Sequence, residues 1–113
     1  MKVEIFPNPD EANAAAAVCL ADRLSTPRTR NVMVAGGNTP LEVYRRLAQR
    51  SLGLSHLNIF ALDEYVGVPL EEPRNTGNLL RRAVAEAWNI SPRQCFTVSS
   101  LESDAEPSMR EHE

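Results

Sequence analysis

The segment VMVAGGNTPLEVY at residues 32–44 decides the fold that this sequence predicts. Its first four residues are a short apolar run of the kind that a parallel sheet buries on both faces. Gly36 and Gly37 follow directly, and glycine permits a positive φ and a close approach of a ligand to the backbone. We therefore predict a buried strand that ends in a glycine turn.

A helix is predicted to start directly after this turn. Thr39 is a favourable N-cap, Pro40 suits the first helical position, and Glu42 would complete a capping box with Thr39. The free N–H groups of a helix start behind a glycine turn suit a phosphate, although a plain strand-to-helix connection would also need small residues. The candidate phosphate-binding residues are Gly36, Gly37, Asn38 and Thr39.

Composition narrows the class of protein. The 113 residues have the length of one domain, and the net charge of −3 argues against general nucleic-acid binding. No apolar run approaches the roughly 20 residues of a membrane span, and Glu4 interrupts the N-terminal apolar stretch, so we expect a cytoplasmic protein without a signal peptide. Cys19 and Cys95 are expected to be reduced core thiols. Neither they nor His56 and His112 have the spacing of metal ligands, so no metal is expected.

Strands and helices alternate along the predicted chain. Strands are predicted at residues 3–6, 32–35, 57–62 and 95–98, with helices from residue 9, over 41–48 and over 79–88. Pro107 disfavours a further helix after Ser103. The apolar face of the first helix is expected at Ala14, Ala17, Val18, Ala21 and Leu24. This alternation predicts an α/β fold of right-handed βαβ units on a parallel sheet.

Two carboxylates follow the strand predicted at residues 57–62. In a parallel sheet, Asp63 and Glu64 would emerge at the same edge as the glycine turn, where open sheets bind ligands. A carboxylate beside a phosphate-anchored sugar could remove a proton next to a carbonyl group, so both are candidate catalytic residues. Adjacent residues point to opposite faces of a strand, so one of them could instead contact the backbone or an arginine. The purely structural alternative is that Asp63 caps the loop and Glu64 forms a salt bridge.

The motifs GGNTP at residues 36–40 and LDEYVGVP at residues 62–69 resemble the two N-terminal motifs of the glucosamine-6-phosphate deaminase/6-phosphogluconolactonase superfamily. Tyr65 is similar to the deaminase branch, since the lactonase branch more often has arginine there. The resemblance implies a Rossmann-like αβα sandwich that acts on phosphorylated sugars without a cofactor. It implies that Asp63 moves a proton between C1 and C2 of the open-chain sugar. Gly37, Asn38 and Thr39 would help to hold the phosphate.

The sequence departs from the family pattern in two ways. Asn38 stands where the family usually has serine or threonine, and Asn75-Thr76 replaces a pair such as serine-tyrosine. We expect Asn75-Thr76 mainly to cap a helix, the alternative being contact with the ligand. Residues 1–113 resemble only the N-terminal part of a sugar-phosphate isomerase/deaminase-like domain, and the later segment with the ring-opening histidine has no counterpart. The fold is therefore expected to look truncated, with a homo-oligomer or a partner completing the domain. The function predicted is that of an amino-sugar-phosphate deaminase, the alternatives being a lactonase-type hydrolase and a non-catalytic sugar-phosphate binding module.

Overall fold

A computed structural model of the chain describes residues 1–112 and arranges them around a parallel sheet of three strands in the order β1-β2-β3. The α/β class predicted from the sequence is confirmed. The elements are α1 (Pro9–Leu24), β1 (Asn31–Val34), α2 (Leu41–Gln49), β2 (Asn58–Ala61), α3 (Thr76–Leu80), β3 (Cys95–Phe96) and α4 (Ala105–His112). Helix α3 continues into a π-helical segment, Arg81–Glu86, and 3₁₀ turns at Pro92–Gln94 and Glu102–Asp104 precede β3 and α4.

Strands β1 and β2 form where the apolar runs predict them, and the other predicted strands differ from the structure. β1 and β2 pair in parallel from Asn31 with Asn58 to Val34 with Ala61. The predicted strand at residues 95–98 forms only at its first two residues. The strand predicted at residues 3–6 is wrong: Val3 and Ile5 remain 70% and 92% exposed. A strand needs a hydrogen-bonding neighbour, and none within residues 1–112 pairs with this segment.

Helix α1 starts with a side-chain cap and a proline, at the residue where the sequence predicts it. Asn8 is the N-cap, its side-chain oxygen accepts from the Glu11 N–H at 2.9 Å, and Pro9 occupies the first turn. The helix packs against α2 and buries only Ala17, Ala21 and Leu24. Because this contact stripe is narrow, Val18 and Cys19 face solvent, so their predicted place in the core is wrong.

The capping box predicted for α2 does not form. Pro40 is the residue before the first helical turn, and no side chain caps the helix start. The carboxylate of Glu42 instead binds the guanidinium groups of Arg45 and Arg46, with Arg45 Nε donating at 2.8 Å and Arg46 Nε at 2.9 Å. These arginines hold the pKa of Glu42 down, to about 2, with Arg45 contributing most. Two guanidinium groups are better partners for a carboxylate than one backbone N–H.

Helices α2 and α3, which connect the successive strands of the sheet, pack on the same face of it. Trp88, which follows α3 and its π-helical extension, donates from Nε1 to the backbone oxygen of Tyr44 in α2 at 3.0 Å, and the two rings meet edge to face. The core lies between these helices and the inward residues of β2, Ile59 and Ala61, which are almost fully buried. Because β1 and β2 are parallel, their carboxyl ends lie at the same edge of the sheet.

The opposite face of the sheet is only partly covered. The strand register aligns Met33, Phe60 and Phe96 across it. Helix α4 reaches this face, where His112 Nε2 donates to the backbone oxygen of Ala61 at 2.8 Å and its ring contacts Phe60. Pro107 lies in the first turns of α4, where a missing N–H costs little, so it does not prevent the helix. Met33 remains 62% exposed, which fits the truncated αβα sandwich expected from the sequence.

Candidate functional site

A cleft of about 630 Å³ opens at the carboxyl edge of the sheet. The Leu62 N–H donates to the backbone oxygen of Val34 at 2.9 Å, so the segments that follow β1 and β2 leave the sheet side by side. The two loops therefore emerge at the same edge, as predicted. The cleft is lined by Gly37, Asn38, Tyr65, Val68, Pro73, Arg74, Thr76, Leu79 and Arg82.

The two glycines of the turn have different roles. A Cβ on Gly36 would lie 2.8 Å from Cγ2 of Thr76, so Gly36 allows the turn to pack against the start of α3. Gly37 has a φ of +88° with open space around it, and it lines the cleft beside Asn38. Of the four residues predicted to bind phosphate, Gly37 and Asn38 line the cleft, whereas Gly36 packs behind it and Thr39 is exposed outside the lining.

A buried tyrosine holds the strand that leads into this turn. The hydroxyl of Tyr44 donates to the backbone oxygen of Ala35 at 2.8 Å, and Tyr44 itself is 6% exposed. Burial raises the pKa of this phenol. Helix α2 thus fixes the backbone immediately before the glycines.

Glu64 is occupied by backbone donors. Its Oε1 accepts from the N–H groups of Tyr65 and Thr76 at 2.8 Å each, and its Oε2 accepts from Gly77 at 2.7 Å. Asn75 completes this helix start, since its side chain accepts from the Asn78 N–H at 2.9 Å, as expected of a capping residue. The carboxylate of Glu64 therefore ties the end of β2 to the start of α3 in place of the salt bridge considered from the sequence.

Asp63 has a different environment from its neighbour. It follows Leu62 at the carboxyl end of β2, is exposed, and lies outside the lining of the cleft. Within residues 1–112 its carboxylate accepts no hydrogen bond and forms no ion pair. The structure thus separates the two predicted catalytic carboxylates: Glu64 accepts backbone hydrogen bonds, and Asp63 has no partner among the described residues.

Sequence reasoning missed the cationic lining of the cleft. Arg74 and Arg82 line it together with Thr76 and Tyr65, and none of the lining residues is acidic. This is notable in a chain with a net charge of −3. One sequence signal was present: Asn78 and Arg82 lie four residues apart on a helix, a spacing that predicts the side-chain hydrogen bond found in the structure.

Two kinds of feature are absent from residues 1–112. The described residues contain no cluster of three or more histidine, cysteine, aspartate or glutamate side chains that could hold a metal ion. No helix in the described part of the chain is long and apolar enough to cross a membrane.

Comparisons with known proteins give a consistent family. The profile of the family described as glucosamine-6-phosphate isomerases/6-phosphogluconolactonase matches residues 8–113. A protein of Arthrobacter sp. named glucosamine-6-phosphate deaminase is 34% identical over 96 residues, which are 81% of this chain and 37% of that protein. A protein of the same name from Streptomyces avermitilis is 36% identical over 94 residues, covering 80% of this chain and 36% of that protein.

Solved structures share the fold. A structure described as a monomeric glucosamine-6-phosphate deaminase superposes with a TM-score of 0.89 at 24% identity, covering 100% of this chain and 48% of that one. The 6-phosphogluconolactonase of Thermotoga maritima superposes with a TM-score of 0.73 at 20% identity, covering 98% of this chain and 50% of that one. The chain therefore spans between about a third and a half of the length of the relatives that it matches.

Proposed function

The chain belongs to the glucosamine-6-phosphate isomerase/6-phosphogluconolactonase family, and from this premise we propose that its cleft binds a phosphorylated sugar. We further propose deamination of an amino-sugar phosphate such as glucosamine 6-phosphate, which yields a ketose phosphate and ammonia. Asp63 is the group proposed to transfer the proton. No cofactor enters this proposal.

The observation that carries the proposal is the composition of the cleft. A glycine turn with open backbone faces two guanidinium groups, and no acidic side chain lines the space between them. A phosphate monoester carries two negative charges and several acceptor oxygens, so backbone N–H groups, Asn38 and arginines are suitable partners. Thr39 belongs to the proposed phosphate loop as the next residue along the chain.

The proposed reaction moves the C2 proton to C1. Asp63 removes the proton from C2 of the open-chain sugar and delivers a proton to C1. A second proton passes from the amino nitrogen to O1 through solvent, so the 2-amino aldose becomes the imine of the ketose. Water then adds to the imine carbon and ammonia leaves, so the products are ketose phosphate and ammonia. The freedom of the Asp63 carboxylate from protein hydrogen bonds in the described residues supports this role, since a base must accept a proton without losing other partners.

Glu64 has a supporting role in this proposal. It was a candidate catalytic residue, but its two oxygens accept three backbone hydrogen bonds. We assign it the positioning of the segment that carries Asp63 and Tyr65. Its substitution is therefore expected to affect folding before chemistry.

The test is ammonia release and ketose formation from glucosamine 6-phosphate, with binding measured in parallel. We expect the Asp63→Asn variant to lose about 10²- to 10⁴-fold in rate while it still binds the sugar phosphate. Asp22→Asn on the exposed side of α1 is the matched control and should leave the rate unchanged. A rate in Asp63→Asn equal to that of the control would contradict the proposed role of Asp63.

The cleft chemistry also favours a second candidate, hydrolysis of a sugar-phosphate lactone. Two arginines and no carboxylate provide no partner for the ammonium group of an amino sugar, whereas a lactone carries no positive charge. Release of acid from 6-phosphogluconolactone, without ammonia release from glucosamine 6-phosphate, would select this candidate. Binding of either sugar phosphate without turnover would select a non-catalytic binding module, which the short span of the chain relative to its relatives supports.

We also propose that another polypeptide covers the face of the sheet that carries Met33, Phe60 and Phe96. This polypeptide is a second copy of the chain or a partner that completes the domain. Met33 and Phe96 are 62% and 41% exposed there, although they lie side by side with Phe60 in the strand register. Exposed apolar patches of this kind favour association. Light scattering of the purified chain should give a mass above that of the monomer.

A further inference from the structure

We propose that Arg82 is the residue that selects the phosphate group of the ligand in this cleft. The inference rests on the proposed function, namely that the cleft binds a phosphorylated sugar, and it adds a specificity-determining residue to that site. Arg82 would hold the phosphate against the glycine turn at Gly37 and Asn38, which lines the same cleft. The chemistry recognised is that of a phosphate monoester.

A chain of side-chain amides orients Arg82. Arg82 Nε donates to Oδ1 of Asn78 at 2.6 Å, and Asn78 Nδ2 donates to the backbone oxygen of Leu70 at 2.6 Å. The Asn78 N–H donates in turn to the side chain of Asn75, which is 1% exposed and bonds to the backbone of the preceding loop. The guanidinium is thus held by its Nε edge, which leaves its two terminal nitrogens free to donate.

Arg82 has no carboxylate partner among the described residues, in contrast to Arg74, the other arginine of the cleft, and to the arginines of α2. Arg45 and Arg46 are paired with Glu42. Arg74, the other cation of the cleft, lies 3.8 Å from a carboxylate oxygen of Glu72 and has a side chain that is 79% exposed. A guanidinium that is positioned by a neutral amide keeps its full charge available for an anionic ligand, whereas a paired one must first give up its partner.

The geometry matches one ligand class better than others. With Nε engaged, the terminal nitrogens can donate two hydrogen bonds to two phosphate oxygens. An unphosphorylated sugar offers no such group, so the residue would separate phosphorylated from unphosphorylated sugars. Inorganic phosphate shares this chemistry but lacks the remaining sugar contacts.

The experiment is isothermal titration of the full chain with glucosamine 6-phosphate, glucosamine and inorganic phosphate. The variants are Arg82→Gln, Arg82→Lys and, as the matched control, Arg81→Gln, which removes the same charge from the adjacent exposed position outside the cleft lining. We expect Arg82→Gln to weaken glucosamine 6-phosphate binding about 10- to 100-fold, the value of a charged hydrogen-bonding pair. Arg82→Lys should recover part of this loss, and Arg81→Gln should change the affinity less than about twofold.

The outcomes separate this inference from the proposed function. Equal affinities of Arg82→Gln and Arg81→Gln for glucosamine 6-phosphate, with the unaltered chain still binding it, would overturn the role of Arg82 and leave the proposed function standing. Equal loss of affinity for glucosamine in Arg82→Gln would also overturn selection of the phosphate. Failure of the unaltered chain to bind any phosphorylated sugar would overturn both. If Arg82→Gln weakens the binding of inorganic phosphate by the same factor as the binding of glucosamine 6-phosphate, the result supports contact of Arg82 with the phosphate group.

Discussion

Replacement of Glu64 by glutamine should destabilise the fold, although the two side chains have nearly the same shape. The carboxylate accepts three backbone hydrogen bonds, from Tyr65, Thr76 and Gly77, at 2.7–2.8 Å. Glutamine turns one oxygen into an NH₂ group, which would face a backbone N–H. Donor would then meet donor at the start of α3.

The magnitude follows from the burial of these donors. Thr76 is 3% exposed and Gly77 is also buried, so an N–H group that loses its acceptor there cannot bind water. An unsatisfied buried donor costs about 1–3 kcal/mol, and the hydrogen bonds that survive lose the contribution of the negative charge. We therefore expect the free energy of unfolding to fall by about 2 kcal/mol.

Urea denaturation followed by tryptophan fluorescence measures this change. Trp88 is the only tryptophan and is 4% exposed, so its emission reports unfolding of the core. With a urea dependence near 2 kcal/mol per molar, the midpoint should fall by about 1 M. Asp63→Asn is the control, since this exposed neighbour should change the free energy by less than about 0.5 kcal/mol. Coincident transitions of Glu64→Gln and Asp63→Asn would refute the reasoning.

Three further predictions address the turn, the tyrosine behind it and the surface of α2. Gly36→Ala should lower the free energy of unfolding, measured by urea titration, by about 1–3 kcal/mol, because the added Cβ would lie 2.8 Å from Thr76 Cγ2. Adding Thr76→Ser removes that methyl group and should recover part of the loss. Burial raises the pKa of Tyr44, so the unfolding free energy should decline as pH rises above the ordinary tyrosine pKa of about 10, and Tyr44→Phe should decline less over that range. The pKa of Glu42 is lowered to about 2, so its carboxylate should stabilise the fold at pH values above the ordinary glutamate pKa, and this stabilisation should be lost as the pH falls toward 2. In Arg45→Ala, an NMR titration should show a higher pKa for Glu42.

Much of the fold could be predicted because its signals are local. The apolar runs of β1 and β2 are each a few consecutive residues, and the glycines follow β1 directly. The cap and the proline that start α1 are also neighbours in the chain. The failures also have physical causes. Residues 3–6 have a strand-like pattern, but a strand forms only where another strand offers hydrogen bonds, and that partner is not a property of the segment. Thr39 has the right residue type for a cap, but Glu42 binds two nearby guanidinium groups instead.

The candidate site was half predictable for the same reason. Its backbone half, the turn at Gly36 and Gly37, is marked by residues whose conformational freedom is visible in the sequence. The arginines that line the cleft cannot be identified from the sequence, because nothing in the sequence distinguishes one exposed helical arginine from another. Only Arg82 of the doublet at residues 81–82 lines the cleft, and that depends on the direction of the helix relative to the glycine turn.

The sequence by itself determined the α/β class, the parallel arrangement of β1 and β2 and the edge of the sheet at which the loops after these strands emerge. These follow from periodicity, glycine and the directionality of the chain, which act over short distances. The tertiary structure decided which polar groups are free. Glu64 and Asp63 are adjacent carboxylates, yet one meets backbone donors twelve and thirteen residues further along the chain and the other meets none within residues 1–112. Hydrogen bonds between distant segments exist only after the chain has folded, so which of the two carboxylates accepts backbone hydrogen bonds is a property of the packing.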